Sequence, residues 1–478
     1  MFINLLKNCI DNNMKKVVLL LVLFFVSGCM VGPNYKKPDI SLSESFVESS
    51  FSENSMDSIV GWWENFNDPK LNELIKLGIS NNYSFKIALE KIEETRAFYR
   101  IKRADLFPEI DATAAAIRTG VSNNLVQTSF LPVSTYNNFQ IGFDALWEID
   151  LFGKLRREKE SAYYQIQAQQ ESMRNVYVSL ISDIAKNYMD MIALNNYIEL
   201  TNKKIMLQNI ILELIKNKTQ NGIDSDIEKE NEIAKLQEEK EKLQIYLTLS
   251  KQTLYRLAVL LGQQSEDINS EYFNLMVLPK AENKINAGMP STLLRRRPDI
   301  RVAERELAKA TSEVASAIAD YFPRFSLVGD SNFKTSPLNK LFNGSSFSWS
   351  LGSIMKWPII NFGRIKANVD VKKSVQNQAL LFYENTVLEA LKDVESALAA
   401  YFNEMEKLKN IQTQLHSIEK ITLLEKSKYE SGLINYPNYL EQEKSYIDIM
   451  IKEIDSRRTL AVNLIALYKA LGGGDWEE

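Results

Sequence analysis

The chain has 478 residues, of which 25% are charged and 45% hydrophobic, and a formal net charge of −4. That suits an ordered protein of several average domains or one large duplicated one, and it leaves no basic excess for nucleic acid. One histidine, His416, and two cysteines, Cys9 and Cys29, are too few for a Cys/His zinc site, a Ser-His-Asp triad or a Cys-His pair. His416 lies in the polar run NIQTQLHSIEK and reads as a solvated helix residue.

The N-terminus reads as a targeting signal over residues 1–28. From Met14 the chain runs MKKVVLLLVLFFVSGC. Its apolar stretch of about ten residues is too short to span a bilayer but suits a secretory signal. Translation from Met1 makes residues 1–13 an extended leader; Met14 is the other possible start. Val26-Ser27-Gly28-Cys29 resembles a bacterial lipobox, which implies a cleaved signal and an N-terminal lipid on Cys29. The alternative is an ordinary cleaved signal with an incidental cysteine. Cleavage removes Lys7, Asp11, Lys15 and Lys16, carrying the net charge from −4 to about −6. It also removes Cys9 and leaves no intrachain disulfide. Two or three acyl chains anchor a protein firmly, where one does not. Met30 follows the cysteine; the aspartate that resemblance associates with inner-membrane retention is absent, which favours the outer membrane.

Beyond the signal, the elements come in the same order twice. ADLFPEIDA at 104–112 returns as ADYFPRFSL at 319–327, WEIDLFG at 147–153 as WPIINFG at 357–363, Asn221-Gly222-Ile223 as Ser431-Gly432-Leu433, and Leu261-Gly262 as Leu471-Gly472. Four landmarks in one order at nearly one offset mark an internal duplication. Each copy opens with a helix, about 82–105 and 299–320, that Phe-Pro ends. Proline disfavours helical geometry in the residue before it and cannot donate a hydrogen bond. Two alternating segments follow. Phe139, Ile141, Phe143, Ala145 and Trp147 oppose Asn138, Gln140, Gly142, Asp144 and Glu148; in the second copy Phe347, Trp349, Leu351, Ser353, Met355 and Trp357 oppose Ser346, Ser348, Ser350, Gly352 and Lys356. Period two predicts strands with one apolar and one polar face, which suit a soluble sandwich or a transmembrane barrel.

Residues 154–221 and 364–431 then contain neither Gly nor Pro. Each predicts a helix of about 66 residues and roughly 100 Å. After a glycine turn, runs 223–261 and 438–471 predict return helices. In the first of these Leu236, Lys240, Leu243, Leu247, Ser250, Leu254, Leu257 and Leu261 form a coiled-coil seam, and the acidic stretch 226–244 reads as its solvated face. A short helix and a return helix, stacked end to end, match the length of one long helix. Four strands cannot close a barrel alone, since closure takes at least about eight and open edges are not tolerated in lipid. Several chains must pool strands if the barrel reading holds.

The segment MPSTLLRRRPDIRVAERELAKATSEVASAIADYFPRFSL at 289–327 resembles the outer membrane efflux protein (TolC-like) family, in its NodT-type lipoprotein branch. So do CMVGPNYKKP at 29–38 and GWWENFNDP at 61–69. The resemblance covers the mature chain in order. It implies a mainly α fold with a transmembrane β-barrel part: a homotrimer with a shared twelve-stranded barrel and a tunnel of duplicated helical hairpins. The implied organisation is a lipidated segment 29–67 making equatorial contacts; a first repeat 68–262 (hairpin 108–150, helical hairpin 153–262); an equatorial connector 263–297; a second repeat 298–472 (hairpin 323–360, helical hairpin 363–472); and a tail 473–478. Pro108 and Pro323 mark helix–strand junctions, Phe107, Phe322, Trp147 and Trp357 interfacial anchors, and Gly222 and Gly432 the hairpin turns. Arg295-Arg296-Arg297 reads as structural in the equatorial band rather than as a ligand patch.

The resemblance further implies a periplasmic constriction at Pro437, Asn438 and Glu441, with Tyr429, Glu228 and Lys444 in its network. Ile434 stands where some members carry an arginine. Implied partners are a periplasmic adaptor, an inner-membrane pump of the RND type and outer membrane lipid. No nucleic acid and no cofactor beyond the Cys29 lipid are implied. The function expected is a non-enzymatic exit duct for drugs, toxic small molecules or ions. The rivals are a lipid-anchored adaptor, which would carry one helical hairpin flanked by glycine-rich β domains, and a lipid-anchored enzyme, for which no catalytic constellation is present.

Overall fold

A computed structural model describes residues 30–43, 45–47, 61–120, 135–221, 223, 225–266, 276–279 and 290–473. Cys29, Gly222, the signal and the tail 474–478 lie outside the described residues. In chain order the elements are a 3-10 turn (Trp62–Phe66), α1 (Pro69–Asn81), α2 (Tyr83–Ala104), β1 (Glu109–Gly120), β2 (Thr135–Ile149), α3 (Lys154–Gln220), α4 (Asp226–Leu260), α5 (Pro290–Arg296), α6 (Pro298–Ala319), β3 (Arg324–Thr335), β4 (Phe347–Lys356), α7 (Arg364–Glu430) and α8 (Tyr436–Ala470). The chain divides into two compact units, 1–39 with 91–169 and 303–383, and 40–90 with 170–302 and 384–478.

The first unit holds one antiparallel sheet in the order β1-β2-β3-β4. The two hairpins are joined through β2 and β3, with Phe143 opposite Ser331 and Trp147 opposite Leu327. β1 and β4 are its free edges. The Phe-Pro junction is built identically in both copies. Trp147 Nε1 donates to the Leu106 carbonyl at 3.0 Å, and Trp357 Nε1 to the Tyr321 carbonyl at 3.0 Å. The turn that follows each helix therefore has a carbonyl satisfied by the indole that returns from the hairpin. In the same unit, Ala303, Leu307, Ala308, Val314 and Ala315 form a buried, alanine-rich face of α6. Residues 30–37 run as an extended strap in this unit. A Cβ on Gly32 would stand 2.6 Å from Ala315 Cα, so only glycine allows so close an approach. Val31 N–H donates to Phe152 O at 3.1 Å, buried Arg157 to Asn34 at 2.6 Å, and Tyr35 and Lys37 both meet Glu304.

In the second unit the aromatic entrance GWWENF becomes core. Trp62 is 1% exposed and stacks on Tyr468 at 5.2 Å. Asp68 caps α1 through Lys70 N–H and Leu71 N–H, while its other oxygen accepts from buried Tyr188 at 2.7 Å. The duplication is again visible in individual bonds. Asn82 Nδ2 donates to Leu260 O at 2.9 Å, closing the end of α4; Arg297 Nη1 donates to Ala470 O at 3.1 Å, closing the end of α8. Arg297 also pairs with Asp299 and Asp393, so its role is structural, whereas Arg295 and Arg296 have no ion pair among the described residues. The return helices begin at 226 and 436 rather than 223 and 438, because Ser225 and Asn435 cap them: Ser225 accepts from Glu228 N–H and Asn435 from Asn438 N–H.

Candidate functional site

The tips of the two helical hairpins, both in the second unit, end in the same chain reversal. Ile223 N–H reaches Lys218 O, and Leu433 N–H reaches Lys428 O, each at 2.9 Å. Gly432 holds φ 73, the left-handed conformation such a turn requires. The hydrophobic residue that follows normally packs back on its own helix, but the residues at that position of the helix are Lys218 and Lys428, and Ile223 and Leu433 stay 71% and 75% exposed.

Behind the second tip three tyrosines stack. Tyr429 lies 4.9 Å from Tyr436 and 5.9 Å from Tyr439, and the Tyr439 hydroxyl donates to Glu443. Burial, then the Glu443 carboxylate, push the Tyr439 pKa upward, so this donor keeps its proton. Pro437 stands in the first turn of α8, half-buried, with Asn438 exposed beside it. Glu441 is held by two cations: its oxygens lie 3.5 Å from Lys235 on α4 and 3.1 Å from Lys444. Lys444 is buried and also donates to Gln208 on α3. Glu228 lies elsewhere; its carboxylate accepts from Ser225 N–H at 3.2 Å in the capping box of α4.

A charged layer continues inward from these residues. Gln208 donates to Glu232, which pairs with Lys235 at 2.8 Å. Lys204, with a side chain only 5% exposed, lies 2.7 Å from Glu239 on α4 and 2.7 Å from Asp448 on α8. One ammonium thus joins helices of both repeats. Burial pulls its pKa down, but hydrogen bonds and charge attraction from Asp448 and Glu239 outweigh this and leave it raised. Glu232 feels the same contest. Burial raises its pKa, Lys235 and Gln208 lower it more, and the net shift is downward.

The expectation of a solvated acidic face over 226–244 is therefore corrected at two positions. Glu239 is buried and Glu232 largely covered, because α3 presents Lys204 and Gln208 to them. The seam shifts accordingly: Lys240 is exposed and Glu239 takes the inward place, while Leu236, Leu257 and Leu261 are buried as the leucine spacing predicts.

The sheet carries a second feature that the sequence did not reveal. On its polar face Asp111 stands opposite Asp144, Asp144 opposite Asp330, and Asp330 opposite Ser350. Like charges directly opposed are unfavourable. Here neighbours answer them: Thr113 donates to Asp144 at 2.9 Å, Asn332 to Asp330 at 3.0 Å, and Ser350 to Asp330. The opposite face exposes Phe143, Trp147, Phe347, Trp349, Leu351 and Met355. Leu146 and Ile354 interrupt the polar face and are themselves exposed.

A short helix, a strand pair that begins after Phe-Pro, and a 67-residue helix, each built twice, recur in known proteins. The sequence profile of the outer membrane efflux protein family matches residues 74–263 and 289–473. The chain belongs to that family. The solvent efflux pump outer membrane protein SrpC of Pseudomonas putida is 28% identical over 459 residues, covering 95% of this chain and 97% of its own. Outer membrane protein OprJ of Pseudomonas aeruginosa is 28% identical over 463 residues, covering 96% of this chain and 95% of its own. The solved outer-membrane channel OprN superimposes with a TM-score of 0.83 at 26% identity, covering 93% of this chain and 99% of its own.

Proposed function

We propose that this outer membrane efflux protein is the exit duct of a tripartite pump. Three copies pool their four strands into one barrel, and their helical hairpins enclose a passage. The observation that carries the reading is the sheet: it has two free edges, an apolar face and a polar face, and each strand pair continues into a helix of about 100 Å. In lipid such edges must be paired, and copies of the chain supply the partners. The apolar face turns to lipid, and the polar face with its aspartate row lines the water-filled interior.

The duct itself makes and breaks no bonds; the energy comes from an inner-membrane pump of the RND type. A periplasmic adaptor meets the hairpin tips, where the matched exposed residues Ile223 and Leu433 offer it two similar apolar knobs per chain. Cargo is of the small-molecule, drug or metal-ion class. The constriction is assigned to Pro437, Asn438 and Glu441. Lys444, Lys235 and the Tyr429 stack fix the helix that carries them. An N-terminal lipid on Cys29 fits the strap, whose Met30 lies against the strand–helix turn at Gly153, next to the end of the sheet. The mass of the detergent-extracted complex tests the assembly: a trimer is expected, and a monomer that binds no second copy contradicts it.

A further inference from the structure

The aspartate row of the sheet carries more charge than its neighbours answer. Thr113 donates to Asp144 at 2.9 Å, and Asn332 and Ser350 donate to Asp330. Asp111, exposed and directly opposite Asp144, has no hydrogen bond or ion pair among the described residues. Lys334, 3.5 Å from Asp330, is the one cation paired with the row among the described residues, so three carboxylates and one ammonium leave −2. Neutral donors soften that charge without cancelling it.

A buried oxygen beside the row is also unanswered. Asn332 stands on the same polar face yet is 1% exposed. Its Nδ2 donates to Asp330 at 3.0 Å and to Asp144 at 3.4 Å. Its Oδ1 is buried with no hydrogen-bond partner, which is uncommon and costly for an acceptor. That oxygen lies over Gly142, where a Cβ would stand 2.2 Å from it. Gly142 is opposite Thr113 on β1 and Asn332 on β3, and Asp144 follows it on the same face. The Asn332 oxygen therefore takes the place of the side chain that Gly142 lacks.

It completes a square of oxygens: Asp111 and Thr113 on β1, Asp144 on β2, and the amide oxygen over Gly142. Directly opposed corners of such a square are about 4.5–5.5 Å apart at Cβ, and corners along a strand about 7 Å. Side chains of this length bridge those spacings through one ion. The Thr113 hydroxyl donates to Asp144 and still offers a lone pair. All four donors are oxygens, which suits hard divalent ions rather than soft transition metals.

We propose that the square of Asp111, Thr113, Asp144 and the Asn332 amide oxygen binds one divalent cation of the calcium or magnesium class per chain. The ion satisfies the orphaned oxygen, neutralises the row, and ties β1, β2 and β3 together across the join between the two repeats. The site belongs to the first unit and to a single chain, whereas Glu441 belongs to the second unit.

Titration of the full-length protein in detergent, after a chelator has stripped divalent ions, tests the site. Calcium chloride and magnesium chloride are the probes, and sodium chloride at matched ionic strength controls for screening. At least one of the two ions should bind saturably and raise the temperature at which the sheet melts, beyond any effect of sodium chloride. Asp111→Asn is the decisive variant. Its side chain is exposed and unpaired, so the change relieves repulsion and leaves the fold intact, yet one bound ion per chain should be lost. Glu441→Ala should keep that ion. Asn332→Asp adds a carboxylate at the amide corner and should bind about tenfold tighter or more, because ligand charge sets affinity in such sites. Binding and melting unchanged in Asp111→Asn, or no effect of either ion beyond that of sodium chloride, overturns the site and leaves the Asn332 oxygen to a water. The expected variant effects in protein of monomeric mass would uphold the site and count against the duct alone.

Discussion

Replacing Lys204 with methionine tests whether the charged layer clamps the hairpins together. The ammonium is 5% exposed and lies between Glu239, 9% exposed, and Asp448, 51% exposed. Removing it leaves the buried Glu239 carboxylate only the more exposed Lys242, 3.3 Å away, and costs up to about 3–5 kcal/mol, the range for breaking a buried pair. At about 1.4 kcal/mol per tenfold, that is an increase of up to roughly two to three and a half powers of ten in local opening. Asp448→Ala removes only the half-exposed arm of the same cluster and should cost about 0–1 kcal/mol. Lys204→Met with Glu239→Leu leaves no stranded charge and should recover most of the loss. Hydrogen exchange of the amides around 200–210 and 440–450, in lipid, reads the opening directly. If Lys204→Met exchanges within about fivefold of Asp448→Ala, the buried cation is not what holds α8 against α3 and the reasoning fails.

The other predictions address separate sites. Cys29→Ser should abolish palmitate labelling and lower assembly efficiency without eliminating the trimer; label persisting in the variant removes the lipid assignment. Glu441→Ala deletes a carboxylate while keeping Lys235 and Lys444, so cation preference and divalent block, read from reversal potentials in asymmetric salt, should both fall. Glu228→Ala should loosen only the first turn of α4, at about 1 kcal/mol for a lost cap partner, and a selectivity change there instead would move the acidic determinant to the first hairpin. The charged layer also has a pH window. Glu232, with its pKa lowered from 4.5, contributes stability above that value and loses it as pH falls through its lower folded pKa. Lys204 and Lys235, both raised from 10.5, contribute below that value and lose it as pH rises through their folded pKa. The opening equilibrium at the tips, read as protection factors that divide out the intrinsic pH dependence of exchange, should therefore be flat from about pH 5 to 10 and rise outside that range; a step near neutrality contradicts the pairing.

Much of the fold was legible because it is local or repeated. Long spans without Gly or Pro gave the helices, Phe-Pro gave the junctions, and period-two segments gave the strands. The duplication then multiplied each weak signal by two. What stayed hidden depends on partners distant in sequence. Lys204 meets Asp448 across 244 positions, and nothing in either segment announces the other. The heptad spacing placed Lys240 inward, but a buried lysine on the facing helix selects Glu239. The aspartate row exists only once the register aligns Asp111, Asp144 and Asp330, and the cap at Ser225 used a glutamate that resemblance had assigned to the gate network. Strap contacts such as Gly32 against Ala315 likewise have no local signature, since they depend on two surfaces fitting closely.

The central claim is that copies of this chain together form a water-filled passage through the outer membrane. Purified full-length protein in a planar bilayer measures this directly. Discrete single-channel steps of one reproducible size, altered in ion preference by Glu441→Ala, are the predicted result. A silent bilayer from protein that remains monomeric and folded contradicts the account.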